Sequence, residues 1–197
     1  MNFVFGQSGI PNEYYLSLIC IIPKEFHLIY FYHFEQMDII RTLMENTSKS
    51  YALPNYLFEV SWEVCNKLGG IHTVVSTKAK LLQDTYGDHF ILLGPDIYKG
   101  ELDNRDFIED LELFKDWKIQ FEVDGLKLRT GRWNIPGKPI VILVDFSPLF
   151  AIKDQIFKWL WSKNKLDSLL GGWNYIEPAL FGIATGKVIE NFSRFYV

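Results

Sequence analysis

The sequence predicts an α/β fold in which helices cover a doubly wound sheet, and three features support this fold class. Two almost entirely apolar runs, HFILLGP at 89–95 and IVILVD at 140–145, are typical of strands buried in a parallel sheet. The glycines Gly69 and Gly70 join a strand pattern to a run of apolar residues with helical spacing. Strands and helices then alternate along the chain, which is the order found in doubly wound sheets.

A βαβ unit opens the regular part of the chain. The segment YLFEVSWEV predicts a first strand at 56–64, and apolar residues recur at helical spacing over 71–87. Gly87 is expected to end that helix, and the strand at 89–95 completes the unit.

From residue 96 onward, the alternation of strands and helices is predicted to be interrupted and then to resume. The acidic stretch 96–116 is expected to form a loop with a short helix, and 118–133 an antiparallel hairpin turning at Asp124-Gly125. The strand at 140–145 is followed by predicted helices at 152–164 and 178–192. Trp159 and Trp161 should lie on opposite sides of the first of these helices, with at least one of them in the core.

Residues 1–54 differ in composition from the rest and are interpreted as an amino-terminal extension or linker. They are rich in aromatic residues without helical or strand periodicity, and end in the polar run ENTSKSYALP. Met37 and Met44 offer later starts, so a misassigned start codon is an alternative interpretation.

Composition and charge exclude several classes of protein. With 20 Lys+Arg against 24 Asp+Glu the net charge is −4, and without a basic run we expect no nucleic-acid partner. The apolar stretch 14–34 is interrupted by Pro23, Lys24 and Glu25, so no membrane span is predicted. Two distant cysteines predict neither a metal site nor a disulfide framework, and residues 1–11 contain no basic signal region. We therefore expect a cytoplasmic protein. No metal or other cofactor is assigned to it.

The strongest candidate site is the glycine pair with the lysine before it. Gly69 and Gly70 allow a ligand to approach the backbone closely, and the N–H groups that begin the following helix attract anions. Lys67 could add a cation for a diphosphate. Two interpretations stay open: a phosphate or sugar-nucleotide site, or a glycine pair that only permits tight packing of strand and helix.

Polar residues near this junction have similarly divided interpretations. Glu59 and Glu63 could bind sugar hydroxyls, or Glu59 could be solvated while Glu63 pairs with Lys67. His72, in the first helical turn, is expected to be a neutral packing or hydrogen-bonding residue. Cys65 is expected to be a packed thiol rather than a nucleophile.

Three further positions complete the candidates. Asp145 ends a predicted strand and could either contact a polar ligand or begin a turn. Arg132 could present its guanidinium at the sheet edge, with a surface ion pair as the alternative. His89 is predicted to lie at the surface.

Four ordered segments carry a resemblance to a known family. LFEVSWEVCNKLGGIHTVVSTKAK, ILLGPD, GRWNIPGKPIVILVD and EPALFGIATGKVIENF together resemble the amino-terminal domain of eukaryotic-type glycogen synthases, in a version similar to bacterial, Bacteroidetes-like members. The resemblance implies a Rossmann-like domain over 55–197, the amino-terminal half of a GT-B glycosyltransferase. It also implies retaining transfer of glucose from UDP-glucose to the non-reducing end of an α-1,4-glucan such as glycogen.

The resemblance assigns substrate-binding roles to specific residues. The family's K-x-G-G-I element falls on Lys67, Gly69, Gly70 and Ile71, where it would approach the pyrophosphate and glucose of the donor, and Glu63 lies in the same element. His72 departs from the family, which commonly has an aromatic residue there.

The resemblance also implies that the domain is incomplete. The family's H-F-H-E-W block and second domain, which carries the paired catalytic glutamates, would follow Val197, so no catalytic residue is assigned here. We expect residues 1–197 alone to be inactive, and homo-oligomers to be possible in a longer protein. A non-catalytic carbohydrate- or partner-binding half-domain and a different GT-B sugar-nucleotide transferase are the alternative functions.

Overall fold

The computed structural model describes residues 56–98, 104–165 and 171–196, and these residues build one five-stranded sheet. The strands are β1 Leu57–Val60, β2 Phe90–Pro95, β3 Phe107–Glu109, β4 Lys127–Trp133 and β5 Ile140–Asp145. Their spatial order in the sheet is β1-β2-β5-β4-β3. β1, β2 and β5 are parallel, whereas β4 runs antiparallel to β5 and to β3.

Helices cover both faces of this sheet. They are α1 Gly70–Tyr86, α2 Lys115–Gln120, α3 Lys153–Asn164 and α4 Trp173–Tyr196, with short 3₁₀ helices at Gly87–His89 and Ser147–Ile152. α1 buries Val75 and Ala79 on one face, whereas α2, α3 and α4 contribute to the core on the other. The predicted doubly wound α/β class is therefore confirmed, with an antiparallel pair added at one edge.

The side chains of the central strands alternate between two hydrophobic cores, one on each face of the sheet. Ile91 and Leu93 of β2 face the core under α3 and α4, whereas Phe90 and Leu92 face α1. Because successive strand residues point to opposite faces, a strand buried on both sides must be apolar throughout, and every residue of β2 is buried. This is why β2 and the central strand β5 were predictable from the sequence as unbroken apolar runs.

The first strand is shorter than predicted. β1 ends at Val60, and Ser61 begins a turn in which its carbonyl accepts the N–H of Val64 at 3.3 Å. Val64 is buried without belonging to the strand. A Cβ at Gly94 would lie 2.8 Å from the carbonyl oxygen of Val64, so the missing side chain of Gly94 lets this turn pack over β2.

The predicted hairpin at 118–133 is wrong in its first arm. Lys118–Gln120 end helix α2, whose Trp117 is fully buried and donates its indole N–H to Asn191 Oδ1 at 2.8 Å. Asp124 and Gly125 both have positive φ, as a tight Asp-Gly turn requires, but the turn connects a helix to β4. The antiparallel partner of β4 on its outer side is β3, a three-residue strand inside the stretch predicted as loop and short helix.

The prediction that at least one of Trp159 and Trp161 lies in the core is also wrong. Both are exposed, at 55% and 47%, and α3 instead buries Phe157 and Leu160. The buried face of α3, formed by Phe157 and Leu160, therefore lies between the directions in which the two tryptophans point. The predicted extension or linker at 1–54 lies outside the described residues.

Candidate functional site

The candidate site is the connection between β1 and α1. Because β1, β2 and β5 are parallel, their carboxyl ends meet at one edge of the sheet, where ligands bind in open α/β folds. Lys67, Gly69 and Gly70 are exposed at this edge, and Ile71 packs partly into the core beneath α1. The structure thus brings together the residues that the sequence singled out.

Glu63 lies beneath this turn and contacts the backbone rather than Lys67. It is buried, and Oε2 of its carboxylate accepts the backbone N–H groups of Gly69 at 2.8 Å and His72 at 2.9 Å. The alternative that Glu63 pairs with Lys67 is therefore wrong. The carboxylate instead binds the backbone where α1 begins.

The two glycines serve different purposes. A Cβ at Gly69 would come within 3.2 Å of Glu63 Oε1, whereas a Cβ at Gly70 would meet no atom of the described chain within 4 Å. Gly69 therefore makes room for the buried carboxylate, and Gly70 keeps the outer surface of the turn open.

Two asparagine side chains also hold the backbone of this loop. Asn104 donates a side-chain N–H to the carbonyl of Cys65 at 3.0 Å, and Asn66 donates to the carbonyl of Trp62 at 3.2 Å. Cys65 has a left-handed backbone, with φ of 54°, which is uncommon for a residue with a side chain. Asn104 was missed from the sequence because no local pattern links it to a loop 39 residues earlier.

Cys65 is a packed thiol, as predicted. Its side chain is buried and its Sγ lies 3.6 Å from the carbonyl oxygen of Asp106, to which it donates a weak hydrogen bond. Burial, reinforced by the negative charge of Asp106, raises the pKa of this thiol far above its ordinary value. The thiolate form needed for nucleophilic attack is therefore disfavoured.

The packing role predicted for His72 is confirmed. Its ring lies edge-to-face with that of Trp133, at 5.3 Å between centroids. The ring Nε2 is 4.0 Å from Asp106 Oδ2, at the limit of an ion pair. The imidazole thus joins α1 to the end of β4.

Glu59 is buried, so the alternative that its carboxylate is solvated is also wrong. Its Oε1 lies 2.8 Å from the Nζ of Lys78 on α1. Burial raises the pKa of Glu59, and the charge and hydrogen bond of Lys78 act against this effect. Glu59 is consequently a structural link between β1 and α1.

The remaining candidates have structural partners. Asp145 Oδ1 accepts the N–H of Ser147 at 3.0 Å, as expected of a turn residue. Arg132 forms a bidentate pair with Asp88, both distances being 3.1 Å, so the surface ion pair is confirmed. His89 is exposed as predicted and stacks on Tyr56 at 4.9 Å.

One charged group at this edge was not anticipated from the sequence. Asp96 follows β2 and is buried, and Arg129 of β4 reaches it at 3.4 Å while binding Glu109 through two bonds of 3.0 Å. The position of Asp96 directly after an apolar strand was the available signal. Its partner Arg129 could not be identified without knowing that β4 lies beside β5.

A depression of about 480 Å³ lies beside β3 and is lined by Ile108, Glu109, Asp110, Leu111, Arg132 and Lys138. Within 56–98, 104–165 and 171–196, no three His, Cys, Asp or Glu side chains cluster as metal ligands would. No helix in the same ranges has the length and hydropathy needed to cross a membrane.

Comparison with known proteins gives a consistent result. A family model described as glycogen synthase matches residues 59–196. The chain is similar to the liver glycogen [starch] synthase of Mus musculus, with 43% identity over 96 residues, which are 46% of this chain and 13% of the mouse protein.

More distant relatives extend the similarity beyond mammals. Identity is 35% over 98 residues with glycogen [starch] synthase of Caenorhabditis elegans, covering 46% of this chain and 14% of that protein. It is 34% over 119 residues with isoform 1 of Saccharomyces cerevisiae, covering 54% of this chain and 16% of that protein. The matched region is thus a small part of each relative's length.

Proposed function

Because this chain belongs to the glycogen synthase family, we propose that it forms the donor-binding edge of a glucosyltransferase that extends an α-1,4-glucan from UDP-glucose. The enzyme would transfer glucose, with retention, to the non-reducing end of glycogen or a similar glucan. The chain itself supplies substrate contacts, and no catalytic residue is assigned to it. Transfer by the isolated chain is not expected.

The observation that carries this proposal is the exposure of Lys67, Gly69 and Gly70 at the carboxyl edge of the parallel strands. Lys67 carries a flexible ammonium group that can donate to a phosphate oxygen. The open space beside Gly70 permits close approach of a ligand to the backbone. These features suit a sugar nucleotide, whose negative charge lies in its diphosphate.

The proposal needs neither a metal nor an organic cofactor. Lys67 offers positive charge to the leaving diphosphate, which is the electrostatic role a cation plays in phosphate and sugar-phosphate transfer. We also propose a cytoplasmic location, supported by the scarcity of cysteines and the buried, unpaired thiol of Cys65.

A titration of the isotopically labelled chain with UDP-glucose, followed by amide NMR shifts, tests the proposal. We expect weak binding, in the millimolar range, with the largest shifts at Lys67 to Ile71, because few contacts must offset the lost freedom of the ligand. Lys67→Ala should abolish these shifts. Lys80→Ala is the matched control, since Lys80 lies on α1 and pairs with Asp84.

Two results would contradict the proposal. One is a set of shifts centred on another surface, such as the depression beside Ile108 and Leu111. The other is an affinity for UDP-glucose that Lys67→Ala and Lys80→Ala leave equally unchanged.

A further inference from the structure

Helix α1 begins without the usual capping groups. Its N-cap residue is Gly69, no side chain at that position accepts a hydrogen bond, and no acidic residue occurs in the first turn. The first N–H groups of a helix need acceptors, and the helix dipole places positive charge there. The acceptor in this chain is Glu63, whose Oε2 binds the N–H groups of Gly69 and His72, six and nine residues later.

From this geometry we infer that Glu63 is a positioning residue, whose carboxylate is the internal acceptor at the start of α1, and not a ligand of the donor. It occupies the place at the helix start that an external phosphate would otherwise take. It also fixes the turn from Lys67 to Gly70, because the turn is closed at Gly69 by the carboxylate. The inference rests on the proposed function only in naming the donor whose diphosphate this turn would meet.

Three observations show that the carboxylate is built into the fold. Its residue is only 7% exposed, and its own N–H donates to Ser61 Oγ at 3.2 Å. Gly69 has no Cβ at the point where one would approach Glu63 Oε1 within 3.2 Å. A buried carboxylate holds its position when two N–H groups donate to one of its oxygens, because charge-assisted hydrogen bonds offset the cost of burial.

Glu63 and Lys67 are therefore expected to have different roles in donor binding. A diphosphate placed against Gly69 and His72 would find both N–H groups already donating to Glu63 Oε2, and the carboxylate would repel it. The donor is therefore expected on the outer side of the turn, where Lys67 and Gly70 are exposed. Lys67 acts on the donor directly, and Glu63 acts through the turn that presents Lys67.

Chemical rescue of Glu63→Ala by a small carboxylate tests this inference without any donor or activity measurement. The variant should lose roughly 2–8 °C of melting temperature, because a capping contact is lost from a domain of this size. Sodium formate, compared with sodium chloride at equal ionic strength, should restore about half of this loss or more by binding the vacated N–H groups. Inorganic phosphate should likewise raise the melting temperature of the variant more than that of the wild type.

The matched control is Glu112→Ala, which removes an exposed glutamate paired with Lys115. Formate and phosphate should affect this control and the wild type equally. A stabilisation of Glu63→Ala no larger than that of the control would overturn the inference, as would phosphate protection of the wild type equal to that of the variant.

Glu63→Gln keeps the side-chain volume if the alanine variant does not fold. Hydrogen exchange at the amides of Gly69 and His72 should then accelerate by about tenfold relative to the wild type, because a charged acceptor is replaced by a neutral one. Unchanged exchange at both amides would contradict the assignment. Since no step uses UDP-glucose, a failure here is distinguishable from a failure of the proposed function.

Discussion

The ammonium group of Lys78 lies 2.8 Å from the carboxylate of Glu59, and both side chains are largely withdrawn from water. This pair joins α1 to β1 immediately before the loop that carries Lys67. Lys78→Met should lower the free energy of unfolding by about 3 kcal/mol, because removing one partner leaves an uncompensated buried charge. Replacing both residues, in Glu59→Leu with Lys78→Met, should cost much less. Urea unfolding of the four combinations measures the coupling, and additive losses would contradict it.

The same carboxylate should make stability depend on pH. Because the pKa of Glu59 is raised in the folded chain, chiefly by burial, the native state binds this proton more tightly than the unfolded state does. Its contribution to stability is therefore greatest at low pH and falls as pH rises from the unfolded value towards the native pKa. The difference in free energy of unfolding, wild type minus Glu59→Gln, should increase as the pH is lowered from 7 towards about 4.5. A difference that is constant or that decreases would show that the carboxylate does not titrate in this way.

Two glycine substitutions should differ sharply in their effect on folding. Gly94→Ala would place a Cβ 2.8 Å from the carbonyl oxygen of Val64, so it should cost about 1–3 kcal/mol of stability. Gly70→Ala meets no described atom within 4 Å, so it should leave the melting temperature nearly unchanged while weakening UDP-glucose binding. Thermal unfolding of both variants checks the contrast. Equal losses would mean that the turn after β1 does not pack on β2 as described.

Burial of Cys65 should protect its thiol from alkylation. In a Cys20→Ser chain, iodoacetamide should modify the folded protein far more slowly than the unfolded protein, because burial raises the pKa of the Cys65 thiol and excludes the reagent. Mass spectrometry over a denaturant series measures this rate. Rapid modification without denaturant would contradict the packing of the loop.

The order of the main elements could be predicted because it depends on local patterns. β2 and β5 are buried on both faces and are therefore unbroken apolar runs, and the glycine pair marks the start of α1. β3 could not be predicted, because three residues carry little periodicity and owe their strand conformation to pairing with β4. The burial of the α3 tryptophans was predicted wrongly because it was judged from residue type. Their exposure follows instead from the helix face on which they lie, since Phe157 and Leu160 define the buried face.

The candidate site, like the fold, could be predicted from the sequence only in part. Lys67, Gly69 and Gly70 stand together in the sequence, so their common exposure at the sheet edge could be anticipated. The partner of Glu63 could not, because a carboxylate followed by a lysine four residues later equally suggests a local ion pair. The distance of 2.8 Å to the N–H of Gly69 depends on the turn that Val64 and Gly94 shape.

Soaking crystals of the chain with UDP-glucose most directly tests whether the donor binds beside Lys67 and Gly70. We predict a diphosphate oxygen at about 3 Å from the Nζ of Lys67, on the open side of Gly70, while Glu63 keeps its bonds to Gly69 and His72. A diphosphate bound at another surface, or one that displaces Glu63 from the start of α1, would contradict this arrangement.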